Sequence, residues 1–87
     1  MKMFKYLITD EIGIHARPAG LLVKEAGKYK SLIKITNQSN QKTAEANKLF
    51  GIMSLGVKCG DTVEVSIVGE DEDVAHDGLK IFFENNL

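Results

Sequence analysis

The 87-residue sequence predicts an α+β domain in which an antiparallel sheet is covered on one face by helices. Three observations lead there. Short stretches of alternating apolar and polar residues are interleaved with stretches whose apolar residues recur every three or four positions. The resulting order is β-α-β-β-α-β-α, and its short connections make neighbouring elements fold back on one another. Finally, 44% hydrophobic residues in so short a chain suit one domain, residues 1–87, with a thin two-layer core.

Lys2 to Ile8 reads as a strand, with Phe4, Tyr6 and Ile8 on one face and Lys5 on the other. Thr9 to Gly13 is a loop, with Asp10, Glu11 and Gly13 as turn residues. A helix follows from Arg17 to Tyr29. Ala19, Leu22, Val23 and Ala26 form its apolar stripe, and Pro18 fits its first turn. Leu32 to Thr36 is a second strand, Asn37 to Gln41 a polar turn, and Lys42–Thr43 a short returning strand. Asn47 to Ser54 is a short helix capped by Asn47. After a turn at Lys58 to Asp61 comes the clearest strand, Thr62 to Val68, with Val63, Val65 and Ile67 facing inward. The last helix runs from Asp71 to Asn85. Glu70 to Asp73 give it an acidic start, and Ala75, Gly78, Leu79 and Phe82 give it an inner stripe flanked by Val74 and Ile81.

A formal net charge of −1 argues against a general nucleic-acid binder. One cysteine, Cys59, can build neither an internal disulfide framework nor a zinc site, so a reducing, cytoplasmic setting is expected. The first residues lack a signal-peptide pattern, and no stretch nears the roughly 20 apolar residues of a membrane span. A monomer without cofactor or metal is expected. His76, between Asp73 and Asp77, reads as part of a solvated helix face.

The segment Gly13-Ile14-His15-Ala16-Arg17-Pro18-Ala19 stands apart. It joins a loop to a helix start, where unpaired N–H groups and a partial positive charge attract phosphate. Arg17 adds a planar cation able to hold phosphate oxygens. Positive potential disfavours a protonated imidazole. The His15 pKa is therefore expected to fall below the usual value of about 6.5, leaving a neutral nitrogen to attack phosphorus.

That segment, together with Gly51-Ile52-Met53-Ser54-Leu55-Gly56-Val57 and the stretch from Gly60 to Glu72, resembles the histidine-containing phosphocarrier proteins (HPr) of the bacterial sugar phosphotransferase system. The resemblance covers essentially the whole chain. It implies an open-faced β-sandwich, a four-stranded antiparallel sheet with three helices on one face. It implies a carrier rather than an enzyme: enzyme I, charged from phosphoenolpyruvate, phosphorylates His15 at Nδ1, and the group passes to a IIA protein. Arg17 becomes the electrostatic partner, and the N–H groups of Ala16 and Arg17 the phosphoryl contacts. The first two helices become the surface for enzyme I and IIA.

Two positions depart from the pattern. Ile12 stands where many relatives have a small polar residue. Lys48 stands where relatives under catabolite control have a regulatory serine, so serine phosphorylation is not expected there. Leu49, Phe50, Ile52, Met53 and Leu55 are too many apolar side chains for one short helix to bury. Leu49, Phe50 and Met53 are therefore expected to form a docking face, extended by Gly20 and Lys24. Two other readings compete. One is an HPr-like regulatory module that acts by docking with little sugar-directed transfer. The other is an RNA-binding α/β domain, disfavoured because Thr62 to Val68 holds no aromatic for base stacking.

Overall fold

The computed structural model describes residues 1–87. Its elements are β1 (Lys2–Leu7), α1 (Ala16–Ala26), β2 (Leu32–Asn37), β3 (Lys42–Glu45), α2 (Leu49–Ser54), β4 (Thr62–Val68) and α3 (Glu72–Asn86). The four strands form one sheet in the order β1-β4-β2-β3, with every neighbouring pair antiparallel. No helix is long and apolar enough to cross a membrane.

The alternation of each strand decides which side the helices cover. Ile33, Ile35, Val63, Val65 and Ile67 are buried, joined by half-buried Phe4 and Tyr6 of β1. The opposite set, including Lys5, Leu7 and Lys34, faces solvent. Three helices and one open sheet face follow from that single parity. Leu22 from α1, Ile52 from α2, and Ala75, Leu79 and Phe83 from α3 close the core. Burying each large apolar side chain contributes about 1.5–3 kcal/mol.

Several boundaries differ from the sequence reading. β1 stops at Leu7, although Ile8 keeps the expected inward face. The first helix begins at Ala16 and ends at Ala26 rather than Tyr29. Gly27, a poor helix former, takes the C-cap, and the chain then tightens through Lys28 N–H to Glu25 O and Tyr29 N–H to Ala26 O. The second helix starts at Leu49, with Lys48 rather than Asn47 as its N-cap. A turn closed by Lys48 N–H donating to Glu45 O takes up Asn47. β3 extends to Glu45.

Asn37 belongs to β2 and is fully buried. Its amide donates to Leu55 O at 3.0 Å, and its Oδ1 accepts from Ser39 N–H. It therefore satisfies the turn from within the core. α3 runs from Glu72 to Asn86, and its buried stripe is Ala75, Leu79 and Phe83. Phe82 is only half-buried, while Val74 and Ile81 are exposed. Phe83 wins over Phe82 because β1 supplies two edge-on aromatic neighbours, Phe4 and Tyr6, each at 5.6 Å. His76 is less solvated than expected: its ring meets Phe4 edge-on at 5.4 Å while Nδ1 contacts Asp77 at 3.1 Å.

The acidic start of α3 does more than face a dipole. Asp71 accepts hydrogen bonds from Lys30 N–H, Ser31 N–H and the Ser31 hydroxyl. It thereby ties the α1–β2 turn to the β4–α3 turn.

Candidate functional site

His15 is the N-cap of α1, with extended backbone (φ −120°, ψ −173°), and its carbonyl accepts from Ala19 N–H at 2.9 Å. Its position follows from the preceding loop. Asp10 Oδ1 accepts Ile12 N–H at 2.9 Å, forming a local turn, and Gly13 N–H donates to Asp10 O. Gly13 has φ +84°, and a Cβ there would lie 2.7 Å from Lys58 Cα and also collide with Val57 O. Only glycine lets the loop press against Val57 and Lys58 in this conformation. Ile14 then donates to Val57 O at 3.1 Å and buries its side chain. The histidine emerges next to it, half-buried.

The helix start beside His15 is chemically open. No side chain caps it, and its first turn holds no acidic residue. The first residues of a helix have no intrahelical acceptor for their N–H groups. Ala16 and Arg17 find none elsewhere, while Pro18 has no N–H to offer. Two adjacent amide donors are thus left unpaired at the positive end of the helix. Arg17 is exposed and forms no salt bridge. Two amides and one guanidinium beside an imidazole suit a tetrahedral dianion.

His15, Arg17 and Pro18 line a recess of about 190 Å³ together with Asp10, Leu21, Asn85 and Asn86. This is smaller than the roughly 300–1,000 Å³ of ordinary small-molecule sites. The sequence reading reached His15, Ala16 and Arg17 but not Asp10, Asn85 or Asn86. The last two arrive from the far end of the chain, and no local pattern announces them.

The expected docking residues are all at the surface. Gly20 and Lys24 are exposed on α1, and Leu49, Phe50 and Met53 on α2, which packs against α1. Phe50 is 83% exposed, while Ile52 and Leu55 turn into the core. Leu21 and Ile12, 43% and 67% exposed, add apolar surface near His15. Leu21 could have been found in the sequence, as the large apolar residue of α1 that falls off its buried stripe. Lys48 sits exposed at the start of α2. No cluster of three or more histidine, cysteine or acidic side chains is arranged to hold a metal ion.

Comparison with known proteins fits this architecture. The family model for the PTS HPr component phosphorylation site matches residues 2–85. A phosphocarrier protein HPr of Mycoplasma genitalium is 37% identical over 86 residues, covering 99% of this chain and 97% of the relative. The crystal structure of HPr-C-His from Thermoanaerobacter tengcongensis superposes with a TM-score of 0.90. It is 38% identical and covers 99% of this chain and 94% of its own. A dimeric HPr crystal structure from the same organism gives 0.75 at 39% identity, covering 98% and 95%. With its open four-stranded sheet, three helices and full-length match, the chain belongs to the HPr family of phosphocarrier proteins of the phosphotransferase system.

Proposed function

We propose that this chain accepts a phosphoryl group on His15 from phospho-enzyme I and donates it to IIA proteins during sugar uptake in the cytoplasm. The observation that carries this reading is the pair of unpaired amides at Ala16 and Arg17, next to the only histidine at a helix start. Nδ1 of the imidazole supplies the electron pair for a new N–P bond as the bond from phosphorus to enzyme I breaks. The negative charge that arrives on the three phosphoryl oxygens is met by the two amides and by Arg17. Transfer to IIA is the reverse displacement, with the IIA nucleophile forming the bond and His15 leaving. Catalysis here is positioning and charge stabilisation.

The exposed apolar set of Leu49, Phe50 and Met53, with Gly20 and Lys24, serves as the docking face for both partners. One copy suffices, because His15, Ala16 and Arg17 come from one helix start. Ile12 places an alkyl side chain where a hydrogen-bonding group would otherwise tune the ring. Lys48 offers no hydroxyl, so regulation through a phosphoserine at this position is absent.

The test is incubation with phosphoenolpyruvate and enzyme I. Wild type should gain one acid-labile phosphate and pass it to a IIA protein, and His15→Ala should gain none. Equal labelling of the two would overturn the reading. With phosphoenolpyruvate and enzyme I replaced by ATP and an HPr kinase, the protein should stay unlabelled. Labelling of Ser54, whose hydroxyl donates to Gly51 O at 2.7 Å, would remove the claim about regulation.

A further inference from the structure

The recess beside His15 has a wall that α1 does not supply. Thr9 N–H and Asp10 N–H both donate to the main-chain oxygen of Leu87, at 2.7 and 2.9 Å, and the Thr9 hydroxyl donates to the same oxygen at 3.2 Å. The Leu87 side chain is buried, and its N–H donates to Phe83 O. Three donors on one acceptor bind the end of α3 to the loop that leads into His15. Asn85 and Asn86 are carried with it to the edge of the recess.

The two asparagines differ in what they have left to offer. Asn86 donates its amide to Phe82 O at 2.9 Å. Asn85 is exposed, and its side-chain amide has no hydrogen-bond partner in the molecule. A neutral donor at this position suits a phosphoryl group, since a carboxylate there would repel it.

We infer that Asn85 is a positioning residue for the phosphorylated state, donating its amide to a phosphoryl oxygen from the α3 wall of the recess that His15 and Arg17 also line. The inference rests on His15 being the phosphorylated residue. It gives the carried group donors from both ends of the chain: two amides and a guanidinium from α1, one amide from α3. The titratable groups that line the recess with Asn85 are Asp10, His15 and Arg17; Glu84 adjoins it on α3, and the main-chain oxygen of Leu87, held by Thr9 and Asp10, lies two residues on. Asp10 already turns one carboxylate oxygen to the Ile12 amide.

The experiment measures the phosphoryl-transfer equilibrium between enzyme I and the carrier, for wild type and for Asn85→Ala, Asn85→Gln and Asn85→Asp. His15→Ala is the control. Failure of wild type to be labelled on His15 would defeat the underlying reading, independently of Asn85. Given labelling, Asn85→Ala should shift the equilibrium toward enzyme I by on the order of ten- to a hundredfold, the loss expected for one charge-assisted hydrogen bond. Asn85→Gln should recover part of it. Asn85→Asp should shift it further. That extra deficit should shrink from about pH 8 to about pH 5, as the phosphoryl group gains a proton near pH 6. A wild-type equilibrium in both Asn85→Ala and Asn85→Asp would overturn the inference. So would equal losses in these two variants that do not change with pH, since a packing role would behave in that way.

Discussion

The two long helices begin in opposite ways. Both starts lie three residues after a glycine with positive φ pressed on a neighbouring segment. Gly13 rests against Val57 and Lys58 before α1, and Gly69 (φ +156°) lies before α3, where a Cβ would meet Ser31 Cα at 2.6 Å. There the likeness stops. α3 carries Glu72 and Asp73 in its first turn, and Glu72 Oε1 accepts the Gly69 N–H at 3.1 Å. Its N-cap, Asp71, spends its carboxylate on the Lys30–Ser31 turn. Neither helix has a side-chain cap, but α1 has no acid in its first turn, and its two free amides lie beside His15 and Arg17. One start is neutralised and used to hold the fold together. The other carries no acid, and its positive end is left free to face an anion.

The most severe way to break this contrast is to give α1 the chemistry of α3. Ala16→Glu places a carboxylate in the first turn of α1. Phosphorylation of His15 by phospho-enzyme I should slow by on the order of tenfold to a hundredfold. The helix itself should gain about 0.3–1 kcal/mol from the dipole. Labelling time courses and urea melts of the same variant measure both, and an unchanged rate would mean that the open start is not what receives the charge.

The paired glycines sharpen the contrast. Gly13→Ala and Gly69→Ala should each cost about 2 kcal/mol, from a strained φ and a backbone collision. Only Gly13→Ala should also slow phosphoryl transfer in the molecules that remain folded. Equal transfer defects in both would show that the glycines act through stability alone.

The smallest effect appears in acid. Hydrogen bonds from the Ser31 hydroxyl and from the Lys30 and Ser31 amides hold the Asp71 carboxyl below the usual carboxylate range. A depressed pKa stabilises the fold above the unfolded value of about 3.9, and this contribution is lost as pH falls through the folded pKa. Asp61, held down by the Lys58 amide, the Ser39 hydroxyl and the Asn37 amide, acts in the same sense. The urea midpoint of wild type should therefore fall below about pH 4, and Asp71→Asn should flatten that fall. A wild-type midpoint independent of pH in that range would contradict it.

The sequence was most legible where structure follows from nearest neighbours. The alternation of Val63, Val65 and Ile67 defined β4 to the residue. The loop, histidine and proline placed the start of α1 within one position. Illegible features depended on partners far along the chain. Phe83 displaced Phe82 because of β1, and Asn37 entered the core because Leu55 and Ser39 satisfied its amide. The Asp71–Ser31 clasp joins residues 40 apart. The candidate site divides in the same way. His15, Ala16 and Arg17 lie in one heptapeptide, whereas Asn85 reaches them only through the Leu87 clasp.

That clasp, together with the pairing of β1 to β4, bears on synthesis at the ribosome. The first strand has no partner except β4, and the loop before His15 is held by Val57 and Leu87. A nascent chain therefore exposes its histidine long before the surrounding scaffold exists. Under the proposed function, competence to be charged is then expected only of molecules whose last helix has docked.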